Sequence, residues 1–411
     1  MSNDMTTARA DLLTIYQAAL AAVEGERCVA RALDNVERST PLYVVAIGKA
    51  AVAMYRGALA TLGGQISRAL VVTKVGHNDG LLPSDRLQVL EAGHPWPTEA
   101  SLAAGEALLD FVAAAPAEGQ FLFLISGGAS SLVEVLPIGV TLADLQRLNG
   151  WLLGSGLDIH AMNRVRKALS CIKGGRLAER LAGRSARLLL ISDVPGDDPA
   201  TIGSGLLVPQ RVAAGGLDLP DWITRLLALG SPMPRPAAAC FERIEIDIVA
   251  TLDDAKRAAA EQGRALGYEV FEEVSVLDGD AMEVACRLSS ELFVAPPGLY
   301  IWGGETTVEL PAQPGRGGRN QTLALRAALA LAGVEDILFL AAGSDGSDGP
   351  TDDAGALVDG RTIARGEAAG LRAQRSLIAA DAGTFLAASG DLIRTGPTGT
   401  NVMDLMLGLR L

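Results

Sequence analysis

The chain has 411 residues, 49% hydrophobic and 20% charged, with a formal charge of −13 at pH 7. This composition excludes general disorder, and the length exceeds what one hydrophobic core usually supports, so two α/β domains are expected. The acidic balance, with no basic run long enough to form a basic face, argues against nucleic acid as a partner and for a small ligand attracted locally.

The first twenty residues carry acidic side chains among the apolar ones and read as an amphipathic helix, not a signal peptide. No apolar stretch is long enough to span a bilayer, so no membrane partner is expected. Cys28, Cys171, Cys240 and Cys286 show no Cys-x-x-Cys spacing, and none adjoins His77, His94 or His160. They read as reduced thiols of a cytoplasmic protein, not as a zinc site or a disulfide framework.

One event recurs along the chain. A short apolar run, read as a buried parallel strand, ends in Gly, Ser or Asp, and a helical segment follows. Residues 41–47 run into Gly48-Lys49, and 121–125 into Ser126-Gly127-Gly128-Ala129-Ser130-Ser131. Residues 188–192 run into Asp193, 298–302 into Gly303-Gly304-Glu305, and 337–342 into a Gly/Asp loop at 343–355. Ligands of open α/β sheets bind outside the carboxyl ends of strands, where these loops fall. Residues 230–236 are proline-rich and read as a linker, so domains are expected at 1–237 and 238–411, with 241–250 as a strand opening the second.

Lysine is rare beside arginine, which singles out Lys49 at a strand–helix turn as a point charge for phosphate; a solvated surface lysine is the alternative. The turn is not a Walker A loop, because Tyr43 replaces its first glycine and Ala50 follows the lysine. No Gly-x-Gly-x-x-Gly fingerprint follows a strand, and Leu124 breaks any Gly-x-Ser-x-Gly elbow at Ser126. Ser126, Gly127, Gly128 and Ser130 suit an anion cradle. Residues 155–175 read as a helix capped by Asp158, burying Met162, Val165, Leu169 and Ile172. His160, Asn163, Arg164 and Lys167 share its other side, and Lys173 precedes two glycines; the cluster is either solvated or receives an anionic substrate. Asp193 reads as a general base or a metal ligand, and Asp198 as a helix cap. Arg319, within Gly315-Arg316-Gly317-Gly318-Arg319-Asn320-Gln321, is the best phosphate clamp, while Arg316 reads as solvent-facing. Asp345 and Asp348 are the best magnesium candidates, a turn-rich surface loop being the alternative. Arginine–glycine and aspartate–glycine loops in one chain suggest a polyphosphate with its magnesium.

In order and spacing these loops resemble the glycerate 2-kinase family of the MOFRL type, whose members are often called hydroxypyruvate reductases. The resemblance runs from about Tyr43 to the C-terminus. It rests on residues 46–50, 92–97, 126–128, 158–167, 172–177, 191–199, 303–307, 315–321, 345–352 and 395–401. It implies ATP- and Mg2+-dependent phosphorylation of the 2-hydroxyl of D-glycerate by a monomer or homodimer. It also implies a Rossmann-like N-terminal α/β/α domain, a smaller C-terminal α/β domain and a site in the cleft between them. By motif position the catalytic residues are Lys49, Asp193 and Arg319. Ser126, Gly127, Gly128, Ser130, Gly303, Gly304, Glu305, Gly317, Gly318 and Asn320 fall to the nucleotide, and His160, Arg166, Lys167 and Lys173 to the substrate. This chain departs from the family pattern at Ala129, at Ser344, at Met403 and in the segment 379–385, where an Asn-rich run is expected.

Overall fold

A computed structural model describes residues 2–34, 41–157, 159–210 and 217–411. The chain forms two compact units: Gly25–Val249, and Ala250–Leu411 together with the N-terminal segment that carries the first helix, Ser2–Ala22.

The strands of the first unit are β1 (Leu42–Ile47), β2 (Ile66–Lys74), β3 (Leu87–Ala92), β4 (Gln120–Ile125), β5 (Ala186–Ile191) and β6 (Ile244–Ala250). They form one sheet in the order β3-β2-β1-β4-β5-β6. The first five pair in parallel. Val45, Ile47, Phe121, Phe123 and Leu190 bury into one core with Leu108 and Val112 of the helix Glu99–Ala114. The alternate residues Val44, Ala46, Leu122 and Leu124 are equally buried, so the strands are covered on both faces, which is why they read as unbroken apolar runs.

The second sheet contains β7 (Val270–Glu272), β8 (Gly298–Gly304), β9 (Ile337–Gly343), β10 (Gly355–Asp359), β11 (Leu392–Ile393) and β12 (Asp404–Arg410), ordered β11-β10-β9-β12-β8-β7. It is mixed: β12 runs antiparallel to both β8 and β9. Trp302, Phe339, Ala341 and Met406 bury under the helices Ala281–Val294 and Arg319–Ala330. The helix Ser2–Ala22 packs on β9, on β12 and on the helix Leu252–Ala265. Its buried Leu12, Ile15, Tyr16 and Ala19 follow the spacing of one helical face.

Two expectations about domain limits are corrected. The strand expected to open the second domain, β6, is instead the last strand of the first sheet, beside β5. The proline-rich segment 230–236 therefore lies within the first unit, and the chain passes to the second at 249/250, not after 237. The N-terminal helix, read as part of the first domain, belongs to the second because its apolar face is covered there.

Candidate active site

The order 3-2-1-4-5-6 reverses direction between β1 and β4, the point where doubly wound sheets open a ligand crevice. Lys49 follows β1 there, and Ser126–Gly128 follow β4. Backbone bonds lace the two turns together. Lys49 N–H donates to Gly127 O at 2.9 Å, and Ser126 N–H to Ile47 O at 3.0 Å. The Ser126 hydroxyl accepts from Ala50 N–H at 3.0 Å. Gly48 has φ +134°, and a Cβ on it would stand 2.1 Å from Ser126 Oγ, so only glycine lets the turns close so tightly. Ser126 thus joins the loops through its hydroxyl. The Ser130 hydroxyl lies 2.7 Å from that of Ser204.

A Cβ on Gly128 would stand 3.0 Å from the His94 ring and 3.4 Å from Lys49 Cγ, so both side chains flank this glycine. Sequence reasoning gave His94 no role; its one signal was the 92–97 motif just after β3. Asp193 is half-buried beyond the end of β5, the strand beside β4. Asp198, expected to cap the next helix, instead braces a turn: its carboxylate accepts from Ala200 N–H at 3.0 Å and from the Thr201 hydroxyl at 3.0 Å, while the short helix Ile202–Ser204 starts after Thr201 with no side-chain cap.

The substrate residues expected on the helix Ile159–Leu169 divide. Asp158 and the side chain of His160 lie outside the described residues. Arg166 is held by Asn149 Oδ1 at 3.0 Å and Asn163 Oδ1 at 3.3 Å, and burial pulls its pKa down. Lys167, expected on the open side, is buried. Its ammonium donates to Ala200 O and Gln210 Oε1, each at 2.7 Å, and burial lowers its pKa while Asp198 opposes the shift. Lys173 is further from expectation. It is sealed in an ion pair with Glu134, their side chains 4% and 2% exposed, and Ser170 donates to the same carboxylate. The two buried charges satisfy each other.

In the second unit, register brings together residues far apart in sequence. Asp404 opens β12 opposite both Gly304, the end of β8, and Gly343, the end of β9. Arg319, first residue of its helix, grips Asp404 with Nε at 2.6 Å and Nη2 at 3.0 Å, and Glu305 with Nη1. Burial works against the Arg319 charge, but Asp404, then Glu305 and Asp348, outweigh it and raise the pKa, so the residue stays cationic. Asp345 lies just past β9. A Cβ on Gly343 would stand 3.4 Å from both Asp345 Oδ1 and Asp404 Oδ1. Tyr16, from the N-terminal helix, donates its hydroxyl to Gly343 O at 2.7 Å. Burial first, then Asp345 and Asp404, push that phenol's pKa upward. Asp404 and Tyr16 are further residues sequence reasoning left without a role.

Asp348 holds the N-terminus of the Arg319 helix. Its carboxylate accepts from Asn320 N–H at 3.0 Å and Gln321 N–H at 2.8 Å. Burial pushes it up to about 7, aided by Asp404 and opposed by the two N–H groups and Arg319. A Cβ on Gly318 would stand 2.4 Å from Asp348 Oδ1, so the glycine admits this cap. Arg316 does not face solvent alone: it pairs with the buried Asp353, which Arg394 also grips at 2.7 Å. The departing segment 379–385 supports the glycine loop, since Asp381 accepts from Arg316 N–H at 2.8 Å and Gly383 N–H donates to Arg316 O at 2.8 Å. Thr306 Oγ1, Asn320 Oδ1 and Thr400 Oγ1, in the turns beside Glu305, Arg319 and β12, are buried without a hydrogen-bond partner. Such atoms are costly unless a ligand or water reaches them.

Carboxylate oxygens suit a hard cation such as Mg2+, which takes one or two protein carboxylates and completes its shell with water and phosphate. Asp345, whose Oδ1 accepts from Ser347 N–H at 2.9 Å, suits that demand, whereas both oxygens of Asp348 are engaged by backbone. Among the described residues, no group of three or more metal-ligating side chains is already assembled. No described helix is long and apolar enough to cross a membrane.

Comparison with known proteins agrees with these motifs. Residues 11–216 match the model of the domain of unknown function DUF4147, and residues 298–404 that of the MOFRL family. D-glycerate 2-kinase of Thermotoga maritima is 37% identical over 97% of this chain and 97% of its own. A protein of Agrobacterium vitis named as a hydroxypyruvate reductase is 38% identical over 98% of this chain and 94% of its own. The crystal structure of glycerate kinase from Thermotoga maritima superposes with a TM-score of 0.84 at 35% identity, covering 99% of this chain and 100% of that one. The chain belongs to the MOFRL-type glycerate 2-kinase family.

Proposed function

We propose that this chain transfers the terminal phosphoryl group of ATP to the 2-hydroxyl of D-glycerate, giving 2-phosphoglycerate and ADP. The observation that carries the reading is the near-full-length kinship with D-glycerate 2-kinase, in a chain whose Lys49 stands just after β1 at the sheet's switch point. Phosphoryl transfer needs positioning and charge neutralisation more than covalent chemistry. Lys49 and Arg319 are assigned to the transferring phosphoryl oxygens, whose charge they neutralise. Asp193 is assigned to hold the acceptor hydroxyl and take its proton as the oxygen attacks. Asp345 would hold Mg2+, which when bound neutralises phosphate charge.

The reductase name carried by some relatives sets a rival. It asks for a glycine-rich turn after β1 that admits a pyrophosphate to a helix N-terminus. Here that turn reads Gly48-Lys49-Ala50-Ala51, and the Lys49 N–H is engaged by Gly127 O. An assay with ATP, magnesium and a panel of hydroxy acids, read by ADP release and phosphorus NMR, tests the proposal. ADP and a 2-phosphorylated product with D-glycerate are expected. Oxidation of NADH by hydroxypyruvate, with no ADP formed from any acid, would replace the kinase by the reductase.

A further inference from the structure

Arg319 meets two carboxylates, and their settings differ. Asp404 sits on a strand between two others, its side chain 2% exposed, and takes the Nε–Nη2 edge of the guanidinium as a fork. Glu305 lies just past the end of β8, its side chain 45% exposed, and takes Nη1 through one oxygen. A two-bond grip by a buried carboxylate fixes the plane of a guanidinium. A one-bond grip by a half-exposed carboxylate is competed by water and screened by salt. The edge held by Glu305 is therefore the one an incoming anion can win.

The charges around Arg319 sharpen the point. Asp404, Glu305, Asp348 and Asp345 surround this end of the sheet, and Arg319 is in direct contact with two of them. A polyphosphate reaching Arg319 meets like charge unless one carboxylate gives way or is neutralised. Asp404 is fixed by strand pairing on both sides, and both oxygens of Asp348 are tied to backbone N–H groups. Glu305 follows the last residue of its strand and is free of both constraints.

We propose that Glu305 is an exchangeable counter-ion of Arg319. It occupies the Nη1 edge until a phosphate group of the substrate displaces it, and so sets how tightly the polyphosphate is held. Asp404 is the positioning residue that keeps the same guanidinium aimed during the exchange. The inference deepens the kinase reading and rests on its assignment of Arg319 to phosphate.

Isothermal titration of the full chain with inorganic pyrophosphate, with and without magnesium, tests the exchange without turnover. Glu305→Gln removes the competing charge and is expected to tighten pyrophosphate binding about tenfold without magnesium. In an Arg319→Lys background, which keeps a charge for Asp404 but has no second edge for Glu305, the gain is expected to shrink to about twofold or less. Three results would overturn the exchange: unchanged or weaker binding by Glu305→Gln, a gain that survives in full in the Arg319→Lys background, or no pyrophosphate binding by the unaltered chain. Weakening confined to magnesium-containing buffer would make Glu305 a metal ligand instead. The kinase reading fails separately, by absence of ADP formation, and that failure leaves the binding cycle interpretable.

Discussion

The two sheets end in loops of opposite construction. At the end of β1 and β4 the turns are joined by backbone hydrogen bonds and one serine hydroxyl, and the side chains of Lys49 and His94 stand beside a glycine. At the ends of β8 and β9 and the start of β12 the joints are charged side chains: Arg319 on Asp404 and Glu305, Asp348 on a helix N-terminus. At a parallel switch point each turn leads directly from its own strand into its own helix, so local backbone geometry can build the loop. A mixed sheet brings the start of one strand beside the ends of two others, and long-range ion pairs must then fix the geometry. The first end should fail when its backbone is strained, and the second when a charge is removed.

The largest effect is expected at the charged end. Arg319→Ala should lower kcat/KM for phosphoryl transfer by about a thousandfold, the scale of a lost arginine on a transferring phosphoryl group. Lys49→Ala, removing a point charge without a fork, should lower it by about a hundredfold. Steady-state kinetics with thermal melting as a folding control separates the two. Near-normal turnover of either variant would remove that residue from the chemistry, and a larger loss at Lys49 would reverse the ranking.

A second break concerns a charge that is not at either end. Lys173 and Glu134 are buried as a pair, so Lys173→Met leaves a carboxylate sealed without its partner and should cost about 3–5 kcal/mol of stability. The double variant Lys173→Met with Glu134→Leu should recover much of it, because a buried ion pair is often replaceable by apolar side chains. Urea denaturation measures both. Recovery of stability with an unchanged KM for the hydroxy acid would establish Lys173 as structural; a large rise in KM in the recovered double variant would return it to the substrate.

The contrast between the two ends also explains what the sequence disclosed. All five apolar runs appear as strands, β1, β4, β5, β8 and β9, because strands covered on both faces leave an unbroken apolar signature, but the parallel reading fails at β9, which pairs antiparallel with both β10 and β12. Lys49, Ser126 and Asp193 could be singled out as candidates from local order alone, since each closely follows its strand. Asp404 was not, because its partners Gly304 and Gly343 lie far away in sequence and only antiparallel register unites them. Tyr16 was missed for the same reason, its bond to Gly343 O spanning 327 positions. Lys167 is buried although helical spacing put it on the open side, because spacing predicts a face but not what covers it. The same limit placed β6 in the wrong unit: a strand's sequence shows that it is a strand, and its neighbour is chosen by packing.

Backbone strain tests the uncharged end directly. Gly48→Ala places a methyl on Ser126 Oγ at a positive φ that other residues rarely adopt. A cost of about 2–3 kcal/mol is expected, from left-handed strain plus overpacking. Gly128→Ala, with φ +85° but ring and side-chain neighbours at 3.0 Å and beyond, should cost about 1–2 kcal/mol. Denaturant midpoints give both values. Equal costs would mean that the tight joint at Ser126 adds nothing beyond the φ requirement.

The smallest effect is expected at the far end of the second sheet, where charges are matched. Arg9, from the N-terminal helix, bonds Asp359 at 2.9 Å and also meets Asp391; Arg365 bonds the same two aspartates at 3.0 and 2.6 Å. Two cations on two carboxylates leave little field for a ligand, unlike Arg319 among several acids. For Asp359, burial raises the pKa, but the Arg365 bond, the Arg361 N–H and the charges of Arg365 and Arg9 outweigh it, so the net shift is downward from 3.8. A carboxylate whose folded pKa lies below its unfolded one adds stability that is fully present above the unfolded value and lost as pH falls through the folded one. The native chain should therefore lose stability as pH drops below about 4, and Asp359→Asn should be less stable at pH 7 yet show a shallower acid loss. Urea midpoints from about pH 7 to about pH 3 measure the two slopes. Parallel slopes would show that the Arg9–Asp359–Arg365 network is screened like an ordinary surface cluster, and that Asp359 adds little to the hold on the N-terminal helix.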